Sequence, residues 1–199
     1  AGDFDPAEAF ALADKALPAD RFRAQGPIAR HWPVEPSGVV DRVVRTPMAV
    51  SRPRVIVGFK DLRIGTERSL AREIESSVVL DLLFGRSSSF YTKHYEAGLI
   101  DDSFSFSYSA EDAFGFSLIG GETEEPERLA EDVLLELHKA RKSGLKKADV
   151  ERSKRKRLGK FIRAFDTPDA TAFMLMGAVQ RNQDLFEVPK VISKLSPKA

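Results

Sequence analysis

Between Ser103 and Ser109 the sequence alternates strictly, with Phe104, Phe106 and Tyr108 separating four serines. A period of two sends every ring to one side of an extended chain and every hydroxyl to the other, a pattern no helix can exploit. A second run, Phe114, Phe116 and Leu118, repeats the alternation after a turn at Ala110-Glu111-Asp112 and is expected to end at Gly120-Gly121. The two runs predict an antiparallel hairpin with one apolar face, which helices must cover. At roughly 25 cal/mol per Å2 of apolar surface, burial alone is reason enough for these rings, so the face reads as core rather than ligand site.

The rest of the chain supplies the covering helices. Gly85 stops an apolar helix over 66–84, and Ser87, Ser88 and Ser89 offer caps for a short helix that ends at Gly98, a natural left-handed position. Pro126 opens a helix to about Ser143, closed by Gly144, and further helices are expected over 148–165, 168–180 and 184–195. Upstream, Asp5 and Pro6 start a helix to Leu17. Five prolines between Pro27 and Pro53 then forbid a long helix, although Val39 to Val50 has room for one edge strand. The run RVIVGF from Arg54 is the clearest early strand. Helices on one face of a mostly antiparallel sheet make an α+β fold. The expected division is 1–26 as a terminal helix of a preceding module, 27–53 as a proline-rich linker, and 54–199 as the main module.

Composition excludes several functions. The net charge of +1 over 199 residues gives no global attraction to nucleic acid, and zero cysteines leave neither disulfides nor thiolate metal sites. No apolar run approaches the roughly 20 residues that span a bilayer. His31, His94 and His138 are scattered, and none has a second histidine one helical turn away, so no metal site is expected. The serine triplet lacks the glycines of a nucleophile elbow, and Gly115, Gly120 and Gly121 do not form a phosphate loop. Between His138 and Arg163 twelve lysines and arginines face only Asp149 and Glu151, after a segment from Glu122 to Glu136 with seven acids and one arginine. Neighbouring segments of opposite charge read as solvated faces or an acid–base contact, not as a nucleic-acid stripe. The chain begins Ala1-Gly2-Asp3 without a methionine, so it is expected to be a piece of a longer protein, taken as cytoplasmic.

Five stretches, in this order, resemble the insulinase/pitrilysin family of zinc peptidases, in particular its shorter bacterial members and the mitochondrial processing peptidases. They are AGDFDPAEAF, RVIVGFKD, FGRSSSFYTKHYEAGLIDDSFSFSYS, FGFSLIGGETEEPERLAEDV and KKADVERSKRKRLGKFIRAFDTPDATA. The resemblance implies a metallohydrolase-like α+β module of the processing-peptidase type, one of several arranged as two halves that close around a peptide. In that family the zinc motif His-x-x-Glu-His lies in the N-terminal half, and this sequence has none. The implied role is therefore the C-terminal, zinc-free half of a metalloendopeptidase. No catalytic or metal residue is expected here, and zinc is expected in the missing N-terminal half. Its partners would be that catalytic half, or a partner subunit, and an unfolded peptide. Arg86, Tyr91, His94 and Tyr95 are the candidates for lining the substrate chamber. Many family members extend an Arg and a Tyr to the substrate from this stretch. Here Tyr95 stands in the place of the Arg and Asp101 or Asp102 in that of the Tyr, so those roles are not carried over. The family module also continues beyond Leu195-Ser196-Pro197 into another helix and strand. The alternative function is an inactive scaffold or interaction subunit with the same fold.

Overall fold

The structure, a computed structural model, describes residues 2–17, 26, 28–29, 31, 36–62, 70–110 and 114–197. The chain divides into two units, Ala1–Pro33 with Ile162–Leu185 and Val34–Phe161 with Phe186–Ala199.

The larger unit is built on a three-stranded antiparallel sheet of β1 (Arg54–Lys60), β2 (Ser105–Ala110) and β3 (Gly115–Glu122), in the order β1-β3-β2. The register pairs Val57 with Ile119 and Phe106 with Ile119, and places Tyr108 opposite Ser117. Residues opposite one another share a face. Val55, Val57, Phe106, Tyr108 and Ile119 therefore lie on one side, and all five belong to the main hydrophobic core. The helices α2 (Leu70–Phe84) and α4 (Pro126–Ser143) cover that side, α2 against β2 and α4 against β1 and β3. The core they close holds Leu80, Leu83, Phe84, Leu129 and Val133, with Phe90, Leu99, Ile100 and Phe104 from the connection between α2 and β2. A smaller cluster joins Ile74 and Val78 of α2 to Val150 of α5 (Lys147–Arg163) and Ile192 of α7 (Glu187–Lys194). The hairpin and the α+β layering follow the sequence expectation.

Two expectations about the sheet fail. The same register that turns Phe106 and Tyr108 toward the core places Phe116 opposite Ser109 and Leu118 opposite Ser107, on the other face, where both are half-buried. The hydrophobic residues of β2 and β3 do not share a side: in β3 the buried partner is Ile119, one residue out of step with the aromatic alternation. Nor do Gly120 and Gly121 end the strand, which runs through them to Glu122. A Cβ on Gly120 would stand 2.0 Å from the Val55 carbonyl oxygen, and one on Gly121 would stand 2.7 Å from the Phe104 Cα. These glycines are places where other backbone passes close, not punctuation.

The strand expected between Val39 and Val50 does not form either. Residues 36–53 contain no strand, and Val39, Val40, Val43 and Val44 are exposed. β1 pairs with β3, and among the described residues no strand partners its other edge. Polar contacts hold the segment instead: Lys60 Nζ donates to the Pro36 carbonyl, and Arg45 pairs with Glu127 at 2.9 Å.

The smaller unit contains α1 (Pro6–Ala16) and α6 (Pro168–Gln180), with a 3-10 turn at Ala164–Asp166. The Asp5 side chain caps α1 by accepting from the Ala7 amide at 2.7 Å, as its sequence predicts. Neither α1 nor α6 has a buried residue, and Phe10, Leu12, Phe173 and Val179 are exposed. The expected helix starts before Leu70 and the turn at 111–112 fall outside the described residues.

Candidate functional site

The four chamber candidates lie on or beside α3 (Ser89–Glu96), whose two ends are both set by local chemistry. Gly85 ends α2 where a Cβ would meet the Asp81 carbonyl oxygen at 2.3 Å, so the chain can turn tightly there. Ser88 then caps α3, its Oγ accepting from the Tyr91 amide at 3.0 Å. At the far end Gly98 has φ +70°, the left-handed geometry anticipated for it. The Leu99 amide bonds back to the His94 carbonyl at 2.9 Å and carries the chain into the core.

This short helix presents its candidates in opposite directions. Tyr91 and His94 are buried. His94 stacks on Phe90 with ring centroids 4.1 Å apart, its Nδ1 lies 2.7 Å from the Phe90 carbonyl, and its Nε2 lies 3.0 Å from Asp132 Oδ2 on α4. Both ring nitrogens face acceptor oxygens, Nδ1 a carbonyl and Nε2 a carboxylate, and the ring is pinned between α3 and α4. Tyr91 packs on Phe104 and stacks on Tyr95 at 5.5 Å. Tyr95 is 47% exposed, and Arg86 also reaches solvent while pairing with Asp102 at 3.1 Å. The structure thus brings Tyr91 and Tyr95 together, places His94 inside, and leaves Arg86 apart from both in a contact with the next loop.

That loop carries a second polar network. Arg52 binds Asp101 at 2.5 Å and Glu124 at 3.0 Å, tying the approaches to β1 and β2 to the end of β3. Hydrogen bonds from Ser103, and then the Arg52 guanidinium, hold the Asp101 carboxyl below the usual range. At the opposite end of the sheet Tyr108 donates to Asp61 at 2.7 Å, and Arg72 pairs with the same carboxylate at 3.1 Å. Burial, and then the bond to Asp61, push the Tyr108 phenol up to about 12.

Among the described residues no three histidines, aspartates or glutamates converge as metal ligands, and no helix is long and apolar enough to cross a membrane. Two features escaped the sequence reading. One is the apolar row on the face away from the helices, exposed at Ile56 and half-buried at Phe116 and Leu118, visible only once the register is known. The other is a cavity between α2 and α5 that gathers Arg86, Arg152 and Lys156. The basic run was legible in sequence, but not which of its cations border this cavity.

The family model for the peptidase M16 inactive domain matches residues 1–157. The chain belongs to the peptidase M16 family, as its inactive domain. This M16 domain is 33% identical over 178 residues to the uncharacterized zinc protease YmfH of Bacillus subtilis. The match takes in 88% of the domain but 41% of that relative, so the chain spans less than half the length of the protein it matches. Among solved structures, the putative M16-like peptidase from Alicyclobacillus acidocaldarius superposes with a TM-score of 0.77 at 25% identity, covering 99% of the M16 domain and 48% of that chain. A protease from Helicobacter pylori has the same fold, with a TM-score of 0.76 at 16% identity and the same two coverages. The α+β fold and the inactive-domain resemblance inferred from the five sequence stretches are both borne out.

Proposed function

We propose that this domain is the non-catalytic half of a zinc metalloendopeptidase, docking to a zinc-bearing half and enclosing an unfolded peptide with it. The match of residues 1–157 to the inactive domain of a peptidase family carries the reading. The 33% identity to a zinc protease more than twice the matched length supports it. So do the apolar side chains that this chain leaves exposed: Ile56 on the sheet, and Phe10, Leu12 and Phe173 on helices without buried residues of their own. Enclosure would limit bulk water and admit only chains that can thread into the chamber. On this reading Tyr95 and Arg86 are the side chains that touch the peptide, and Tyr91 and His94 hold α3 so that Tyr95 can do so.

The test is zinc content and peptide hydrolysis of the longer protein, with this chain assayed in parallel. Zinc and cleavage in the longer protein, and neither in this chain alone, is the expected result. A longer protein with neither would replace the peptidase half with a scaffold subunit. In an active parent, Tyr95→Ala and Arg86→Ala are expected to raise KM for peptides. Unchanged kinetics in a folded variant would remove those two residues from the chamber.

A further inference from the structure

Beside the C-terminal end of α2 the larger unit contains a cavity of about 410 Å3, and its polar lining is unbalanced. Arg86, Arg152 and Lys156 contribute three positive charges and Asp81 contributes one negative charge, with Ser87 and Ser153 adding hydroxyls. Lys156 is held to Asp81 at 2.9 Å. Among the described residues Arg86 pairs with Asp102 and Arg152 with Asp149, at 3.1 Å in both cases, through contacts open to solvent. Exposed pairs of this kind are worth little in water, so either guanidinium can turn to a better partner at small cost.

The observation that points to a ligand is Ser153. It lines the cavity and is 2% exposed, and its hydroxyl is enclosed without a hydrogen-bond partner among the described residues, so it meets a ligand by turning about χ1. It occupies the inward side of α5 one turn after Val150, a position where an apolar residue would extend the packing against α2. A buried hydroxyl without a partner is a standing cost that an alanine would not incur. Arg157, one turn further on, also has a buried Nε without a hydrogen-bond partner among the described residues, and burial lowers its pKa while Asp81 opposes the effect.

We propose that this cavity binds a compact phosphoryl anion, held by the Arg86 and Arg152 guanidinia, the Lys156 ammonium and the Ser153 hydroxyl. Guanidinium forks match phosphate oxygens two at a time, and a lysine adds a point charge. Once the two guanidinia leave Asp102 and Asp149, the lining carries a surplus of two positive charges, which a phosphate dianion balances and a carboxylate only half balances. Ser87, just before the Ser88 cap, places the positive first turn of α3 at the edge of the same space. This inference shares Arg86 with the peptide chamber proposed above, but its test stands apart from that reading, since the anion is titrated without a peptide and the variants leave Arg86 in place.

The experiment is calorimetric titration of the chain with inorganic pyrophosphate, inorganic phosphate and ATP at low and at moderate salt. Saturable binding of pyrophosphate that weakens with salt is expected. ATP and pyrophosphate of equal affinity would assign the site to the phosphoryl group alone, and tighter ATP would assign a nucleotide. The R152Q/K156Q double variant should lose at least tenfold in affinity. The R155Q/K160Q control, which removes two exposed cations of the same helix outside the cavity, should lose less than twofold. Ser153→Ala should weaken binding severalfold and raise the melting temperature of the unliganded chain. No binding by the wild type at low salt would overturn the proposal. An equal loss in R155Q/K160Q would also overturn it, since the anion would then be following the general charge of α5.

Discussion

The two faces of the sheet are made from the same three strands and have opposite fates. On one, Ile119 is 1% exposed beneath α2 and α4; on the other, Ile56 is 54% exposed. Apolar character does not separate them, because Phe116 and Leu118 on the open side are as hydrophobic as Phe106 and Ile119 on the closed one. Register separates them. A closed face is core and contributes stability, whereas an open apolar face contributes little until something covers it. The sharpest test of the closed face is Phe84, which is fully buried behind it and makes an edge contact with Phe90 at 5.1 Å. Phe84→Ala is expected to cost about 3–5 kcal/mol, read as a lower urea midpoint. A cost near 1 kcal/mol would mean that the helices do not seal this side.

Adjacent residues of β3 allow the comparison within a single strand. Ile119→Ala should cost about 2–4 kcal/mol, and Leu118→Ala less than about 1 kcal/mol, by urea denaturation of the two variants side by side. Equal costs would show that the Leu118 side is covered in solution, and the contrast between faces would fall.

That contrast also marks how much of the fold the sequence disclosed. The serine–aromatic alternation of β2 was a sufficient signal because one residue type marks each face. β3 lacked such a signal: Phe116-Ser117-Leu118-Ile119 has apolar residues in both phases, and only its pairing with Phe106 and Val57 chooses Ile119 for the core. Helix ends were legible wherever a side chain or a glycine acts locally, as at Asp5, Ser88 and Gly98. The strand expected around Val43 failed because branched residues favour an extended chain but cannot supply a neighbour to pair with. Of the candidate site, the short helix α3 was legible, but not which way Tyr91, His94 and Tyr95 face on it. His94 and Tyr91 turn inward because Asp132 and Phe104, from two other points in the chain, and Phe90 of the same helix give them partners there.

Tyr108 tests the rim of the closed face, where a polar group has been admitted. Tyr108→Phe removes the hydrogen bond to Asp61 and should cost about 1 kcal/mol near neutral pH. The folded phenol titrates at about 12, above its ordinary value of 10, because burial and the Asp61 carboxylate disfavour the phenolate. The associated stability is therefore fully present below pH 10 and is lost as the pH rises through 12. Urea midpoints of wild type and Tyr108→Phe should stay separated by a constant gap up to about pH 9 and converge above pH 10. A gap that does not change up to pH 11.5 would mean that the phenol is not sheltered.

The smallest effect is expected on the open side of β2. Ser107 is exposed and lies opposite Leu118. Valine there is better suited to a strand and would set a branched side chain against Leu118, which together are worth a few tenths of a kcal/mol in favour of the fold. Ser107→Val should therefore leave the urea midpoint unchanged or slightly raised, and sedimentation should show more self-association, because the mutation extends the row already formed by Ile56, Phe116 and Leu118. A loss of more than about 1 kcal/mol would require the serine hydroxyl to have a partner inside the folded chain. In that case the face would be closed in solution, and the difference between the two sides of the sheet would be one of packing quality and not of exposure.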